Sequence, residues 1–365
     1  MAEKIRVGII GCGGIANGKH LPGLQACEDV EMVAFCDLIE QRARDAAEKY
    51  GTKDAKVYTD YKELLKDDSI AVVHVLTPNR AHSFITVDAL EAGKHVMCEK
   101  PMAINSAEAK KMLDAAKRTG KKLTIGYQNR QRADARLLKK EADQGRFGNI
   151  YYARAHAIRR RAVPTWGVFL NEYEQGGGPL IDIGTHALDL TLWTMNNYKP
   201  KYCVGTAYHA HNADPVGEQG NEWGPWKPED FTVESSAFGF VVMENGATIS
   251  LESSWALNSL DVREAETTVV GDKAGGDMVG GKIRINGVEN GYQYVQDISM
   301  SGGGNVAFYE GVGDEPAHIR EAKLWIKSIR EDTEPFVKPE EAYVVTQILE
   351  GIYESAKTGK PYYFN

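Results

Sequence analysis

A short β-branched run, Ile5–Ile10, leads at once into Gly11-Cys12-Gly13-Gly14-Ile15-Ala16. A strand that opens into a GxGxxA turn commits this end of the chain to a strand–turn–helix unit of a doubly wound sheet. Gly11 allows the tight turn, and Gly13 lets the backbone approach a pyrophosphate. Ala16 permits close helix–strand packing, and the helix N-terminus faces the phosphate charge. Alone, the triplet fits any glycine-rich strand-to-helix turn. The next strand, Val30–Cys36, decides the matter by ending on Asp37, about 20 residues beyond the fingerprint. That carboxylate is placed for the ribose hydroxyls of an adenosine and would repel a 2′-phosphate. Leu38 and Ile39 supply no counter-charge. The expected cofactor is NAD(H) in preference to NADP(H).

The first third goes on alternating strand and helix. Ile39–Tyr50 reads as a helix closed by Gly51 at C′, and Asp60 with Glu63 as a capping box before Leu64-Leu65. Ile70–Leu76 is a buried strand stopped by Thr77-Pro78-Asn79. A helix over Ala81–Ala92 ends at Gly93, and His95–Cys98 is another strand. Asn105 and Glu108 cap a helix ending at Gly120, and Leu123–Gly126 is one more strand. The pattern predicts an α/β protein with an N-terminal Rossmann domain over residues 1–127.

Afterwards the rhythm changes. A helix near Gln131–Asp143 and a turn at Gly145–Gly148 precede the alternating strand Ile150–Ile158. A hairpin joins Phe238–Met243 to Ala247–Glu252 through Glu244-Asn245-Gly246, and Thr267–Gly271 and Lys282–Ile285 have the same texture. The glycine-rich stretches Gly271–Gly281 and Ser301–Gly304 read as loops, and Pro339 starts a last helix. Residues 128–365 are expected to form a C-terminal α/β domain with a mostly antiparallel open sheet. The C-terminal helix is in a position to pack back on the first domain.

Charge excludes several partners. With 43 Lys and Arg against 51 Asp and Glu the net charge is −8, so nothing favours nucleic acid or an anionic membrane. The charged N-terminus lacks a signal-peptide core, and no apolar run approaches the ~20 residues of a membrane span. Five cysteines, none in a CxxC pair, suggest neither a disulfide framework nor a zinc knuckle. A cytoplasmic protein is expected.

Two further blocks carry chemistry. Glu99-Lys100-Pro101 follows a strand at its carboxyl end, where ligands of doubly wound sheets bind, so Lys100 is aimed at the cleft and Pro101 admits a cis bond. A lone lysine in that place is more often a surface group. In Gly176-Gly177-Gly178-Pro179-Leu180-Ile181-Asp182-Ile183-Gly184-Thr185-His186, with Asp189 beyond, a helix would line up Asp182, His186 and Asp189 at i, i+4 and i+7. Ile183, Leu188, Leu190 and Leu192 would face a core. Histidine beside carboxylates suits proton transfer near neutral pH; the plainer alternative is an acidic cap with a satisfied histidine.

Together these blocks, in this order and spacing, closely resemble the Gfo/Idh/MocA family of sugar and inositol oxidoreductases. The resemblance spans essentially the whole chain. It takes in Thr77-Pro78-Asn79 with His82, Glu99-Lys100-Pro101, the GGGxLxDxGxH block, Glu244-Asn245-Gly246-Ala247 and the terminal Gly359-Lys360-Pro361. It implies an NAD site of Gly11, Gly13, Gly14, Ile15, Asp37, Thr77, Pro78, Asn79, His82, Glu99 and Lys100, and a catalytic set of Lys100, Asp182 and His186. A sugar, glycoside or polyol would lie between the domains, and a homodimer or homotetramer would build on the open sheet.

The expected reaction is reversible oxidation of a secondary ring hydroxyl by an NAD-dependent dehydrogenase. Either Lys100 or His186 would be the immediate proton acceptor. Tyr127, Asn129, Arg159 and Trp166 are candidate substrate contacts. Tyr127, Asn129 and Arg130 read equally well as a hinge, and Arg159–Arg161 as a solvated face. His209-x-His211-x-x-Asp214 has metal-like residue types but too few ligands, so no metal is expected. Trp223-Gly224-Pro225-Trp226 is either a sugar platform or packing. Competing functions are a redox-neutral, NAD-dependent glycoside-cleaving enzyme and a non-enzymatic sensor.

Overall fold

A computed structural model of the chain describes residues 3–217, 220–299 and 315–364. Two compact units emerge, Met1–Gln128 with Pro316–Thr346, and Asn129–Glu315 with Gln347–Asn365.

In the first unit, β1 (Ile5–Ile10), β2 (Val30–Cys36), β3 (Lys56–Tyr58), β4 (Val72–Val75), β5 (His95–Cys98) and β6 (Leu123–Ile125) pair in parallel in the order β3-β2-β1-β4-β5-β6. Every residue of β4 and β6 is buried, as expected of parallel strands covered on both faces. The helices are α1 (Leu21–Gln25), α2 (Glu40–Tyr50), α3 (Tyr61–Leu65), α4 (Asn79–Glu91) and α5 (Ser106–Thr119). A helix from far along the chain completes the core: Ala322, Trp325 and Ile326 pack with Leu21, Leu24 and Val7. The strand order reverses between β1 and β4. Just past the carboxyl ends of β1, β2, β4 and β5 stand Gly11, Asp37, Thr77 and Lys100, at the topological switch point where such sheets bind ligands.

Local caps differ in detail from the sequence expectation. Asn105 accepts the Glu108 amide at 2.8 Å and Gly120 is left-handed (φ 67°). Asp60 caps the Lys62 amide, so the Asp60–Glu63 box is not formed through the Glu63 amide. Gly51 is not left-handed (φ −78°). Glycine is needed there for space, since a Cβ would lie 2.6 Å from the Ala47 carbonyl oxygen and 2.8 Å from Ala55.

In the second unit, α6 (Ala133–Asp143), α7 (Glu172–Gln175) and α8 (Thr185–Met195) accompany β7 (Ile150–Ile158), β8 (Pro200–Tyr208), β9 (Ser236–Met243), β10 (Thr248–Ser254), β11 (Glu264–Gly271), β12 (Ala274–Val279), β13 (Lys282–Glu289), β14 (Tyr292–Ser299) and β15 (Tyr362–Tyr363). The sheet order is β14-β13-β12-β11-β7-β10-β9-β8-β15. Within this sheet, among the described residues, only β7 and β10 pair in parallel. Helix α8 packs on β7 and β11, and α6 on α8 and β12. The two last helices are α9 (Ala317–Arg330) and α10 (Pro339–Thr358).

One expectation is corrected: Gly271–Gly281 is not a loop, because β12 runs through it. A Cβ on Gly276 would lie 2.7 Å from the Phe147 ring, so the glycine lets buried Phe147 press against the strand. The expected loop Ser301–Gly304 lies outside the described residues.

Candidate active site

Gly11 adopts φ 95°, and a Cβ there would lie 2.5 Å from the Leu76 carbonyl oxygen. Glycine is therefore required on both counts. Nothing lies within 4 Å of a Cβ built on Gly13 or Gly14, so their backbone is open to a ligand. Asp37 is tied to this loop: one carboxylate oxygen accepts the Cys12 amide at 2.9 Å and the other the Ile39 amide at 2.9 Å. Leu38 and Ile39 beside it are exposed apolar groups. Open glycine backbone, a fixed carboxylate and two uncharged neighbours fit the phosphates and ribose of NAD.

The Lys100 loop is braced from below. Pro78 is exposed, whereas Thr77, Asn79 and Lys100 are half-buried. The Lys100–Pro101 peptide is cis. His82 is buried, with Nδ1 2.8 Å from the Pro101 carbonyl oxygen and Nε2 2.8 Å from that of Thr77. It thereby joins the two loops after β4 and β5. A neutral ring can donate to only one of these carbonyls. Burial pulls its pKa down against the opposing pull of both.

His74, on β4, is held well below the ordinary histidine value by burial and then by the neighbouring His20. Both imidazoles, His74 and His82, are thus kept neutral when folded. Unfolding lets them take up protons below about pH 6.5, so their contribution is present above that value and lost as pH falls. Stability should drop between pH 7 and 5.5 by up to about 1.4 kcal/mol per pH unit for each histidine. His74→Met should flatten that slope in urea unfolding; an unchanged slope rules His74 out as a source.

In the second unit the glycine block is held by a buried clasp. Glu234, 4% exposed, accepts the Gly178 amide at 2.8 Å, the Leu180 amide at 3.1 Å and the Tyr353 hydroxyl at 2.8 Å. Burial pushes its carboxyl up, against these three donors. A Cβ on Gly177 would overlap the Tyr353 hydroxyl, and one on Gly178 the Glu234 carbonyl oxygen. The chain then makes a π-helical turn over Leu180–Gly184 and enters α8.

Half-buried Asp182 accepts the indole N–H of buried Trp255 at 3.0 Å. His186, also half-buried, is the second residue of α8. Asp189 does not join them as an available carboxylate. It forms a buried bidentate pair with Arg130, at 2.6 and 2.9 Å, while Ile183, Leu188, Leu190 and Leu192 are core.

Arg159 forms a bidentate pair with Glu264 at 2.6 and 2.7 Å. Burial opposes its charge, but Glu264, Asp182 and Glu222 outweigh it and raise its pKa. Its guanidinium lies 5.2 Å from the Trp223 ring centroid, and Trp223 meets Trp166 edge to face at 4.7 Å. Trp166 is half-exposed, Asn129 half-buried and Tyr127 fully buried. Among the described residues, no group of three or more His, Cys, Asp or Glu side chains could hold a metal.

Comparison with known proteins finds one family over nearly the whole chain. The family description "Oxidoreductase family, NAD-binding Rossmann fold" matches residues 5–127, and "Oxidoreductase family, C-terminal alpha/beta domain" matches residues 139–364. The chain belongs to the Gfo/Idh/MocA oxidoreductase family. Its first domain is an NAD-binding Rossmann fold and it is a dehydrogenase. The D-glucoside 3-dehydrogenase of Escherichia coli (strain K12) is 34% identical over 360 residues, 98% of this chain and 97% of that protein. The inositol 2-dehydrogenase of Salmonella typhimurium is 33% identical over 198 residues, 53% of this chain and 56% of that protein. A solved levoglucosan dehydrogenase, in complex with NADH and levoglucosan, superposes with TM-score 0.83 at 21% identity, covering 98% of this chain and 99% of that one. That likeness concerns the fold.

Sequence reasoning misses several groups around these residues. Trp255 and Glu264, partners of Asp182 and Arg159, carry no local signal. Glu234 has one, an acidic residue set among small and apolar neighbours in Phe231-Thr232-Val233-Glu234-Ser235-Ser236-Ala237-Phe238. His20 has another, standing close after the glycine fingerprint.

Proposed function

We propose that the protein is an NAD-dependent dehydrogenase that reversibly oxidises a secondary ring hydroxyl of a sugar, glycoside or cyclic polyol. The observation that carries the reading is the NAD cradle, Gly11–Gly14 with Asp37; Lys100, Asp182 and His186 are the residues of this chain whose types suit the proton transfer. NAD held at the Gly11–Asp37 cradle would supply the acceptor for the hydride of the carbinol carbon. His186 accepts the hydroxyl proton, and Lys100 hydrogen-bonds the same oxygen and stabilises its developing negative charge. Asp182, held at one oxygen by Trp255, orients the imidazole or accepts a neighbouring hydroxyl. So many polar groups suit a carbon flanked by hydroxyls better than a simple aliphatic alcohol, which would satisfy few of them. Trp166 and Trp223 offer apolar faces for the C–H side of a ring, and Arg159 offers donors. The full-length likeness to a D-glucoside 3-dehydrogenase favours pyranosides among these substrates.

The test is to incubate glucosides, free sugars and inositols with the enzyme and excess NAD, following NADH and product mass together. NADH in step with a product two hydrogens lighter is expected. Glycosidic cleavage without NADH would move the assignment to a redox-neutral enzyme, and binding without any turnover to a sensor.

Cofactor choice is a separate expectation. NADH should bind much more tightly than NADPH, because a 2′-phosphate bound at this cradle would meet the Asp37 carboxylate. Fluorescence titration with each reads this directly, and equal affinities would contradict the role given to Asp37. We place the enzyme in the cytoplasm as a homodimer or homotetramer, joined through the sheet face that exposes Val204, Tyr208 and Phe240. Light scattering of the purified protein reads the subunit count, and a monomer would end that part of the proposal.

A further inference from the structure

The π-helical turn Ala16–His20 comes directly after the glycine loop. Its last residue, His20, is 6% exposed. The imidazole Nε2 donates to Glu99 Oε1 at 2.8 Å, an ion-pair geometry with both side chains almost wholly buried. The other Glu99 oxygen, Oε2, accepts the backbone N–H of Lys100 at 2.9 Å. On its far side the His20 ring meets His74, Nδ1 to Nδ1 at 3.2 Å and edge to face. Gly126 leaves room for the carboxylate: a Cβ there would come to 3.3 Å from Glu99 Oε1. A single buried contact therefore runs from the helix that leaves the cofactor loop to the peptide that carries Lys100.

We propose that His20 is a positioning residue for Lys100, acting through Glu99. A carboxylate at a strand end has several staggered orientations, and only some bring one oxygen to the next amide. His20 holds Glu99 in one of them. Without that donor, the buried carboxylate turns to find another, and the Lys100 peptide turns with it. Displacement of a reacting group by about 1 Å costs on the order of 10²-fold in rate. π-Turns recur at functional sites, and here the widened turn ends on the residue that makes the contact. The inference rests on reading Lys100 as the group that handles charge on the substrate oxygen.

His20→Leu and His20→Gln are made in the full chain, with Lys100→Met as reference. Three quantities are measured: NADH affinity, kcat and KM with a glucoside, and the ¹³C NMR signal of Lys100 after reductive methylation, assigned by its loss in Lys100→Met. His20→Leu is expected to lower kcat roughly 10- to 100-fold, with KM and NADH affinity changed less than about threefold, and to move the Lys100 signal. His20→Gln, whose amide can donate to Glu99, should restore most of both. Adding Glu99→Gln to His20→Leu should cost little more, since the two act on one contact.

An unchanged kcat together with an unmoved Lys100 signal overturns the proposal. So does a loss that merely tracks NADH affinity or folded fraction and is not rescued by His20→Gln. If Lys100→Met itself keeps full turnover, the reading of Lys100 fails instead. His20 is then decided by the NMR signal alone, moved in favour and unmoved against.

Discussion

Lys100→Met should lower turnover by roughly two to four orders of magnitude while NADH binding and the fold persist. The reason lies in what methionine keeps and what it removes. Its unbranched side chain fills nearly the same space, so the half-buried site need not collapse, but it can neither donate a hydrogen bond nor carry charge. Ground-state binding of a neutral sugar hydroxyl loses one contact among several. The developing alkoxide loses the group that stabilises it, which is a loss felt chiefly in the transition state. The expected signature is a fall in kcat with little change in KM. His186→Ala should behave alike, with the added mark that activity recovers in part as pH rises, because hydroxide replaces the missing base. Initial rates for both variants on the best glucoside decide it. Near-normal turnover would make the altered residue structural.

Glu234→Ala is the second large effect, and it should appear first in stability. The substitution strands two backbone amides and the Tyr353 hydroxyl in a buried pocket. At about 1–3 kcal/mol for each unsatisfied group, less whatever water recovers, a loss of roughly 3–5 kcal/mol is expected. Tyr353→Phe removes one donor and leaves the carboxylate two, so about 1 kcal/mol is expected. Turnover of Glu234→Ala should fall further than its folded fraction explains, because the turn it anchors carries Asp182. Urea unfolding of the two variants, with rates on the folded fraction, separates these contributions. Wild-type stability in Glu234→Ala would mean that the glycine block holds itself.

Lys100 and Glu234 differ sharply in how far the sequence betrays them. Lys100 stands out as a candidate because its signal is local: a strand, its end and the next residue. The same holds for Gly11 and Asp37, whose expected roles come from one strand–turn–helix unit and the strand after it. The parallel sheet is readable because apolar runs recur at the spacing of a helical crossover. Glu234 and Tyr353 lie 119 residues apart, and His20 and Glu99 lie 79 apart. No periodicity joins such pairs; they meet only because the sheets bring distant segments together. Asp189 shows a different limit: its spacing sets it with Asp182 and His186, but Arg130 in a preceding 3₁₀ turn takes the carboxylate. Gly275-Gly276 misleads for a third reason. Glycine usually marks a break, and here it marks a strand leaned on by Phe147.

The Trp325 helix also sets a timetable for synthesis. It completes the hydrophobic core of the first unit, yet the ribosome makes it only after Asn129–Glu315 has emerged. At ~5–20 residues per second that interval is roughly 10–40 s. Throughout it, Leu21 and Leu24 lack the α9 side chains that cover them in the native core. Expressing residues 1–127 alone would make that exposed state permanent.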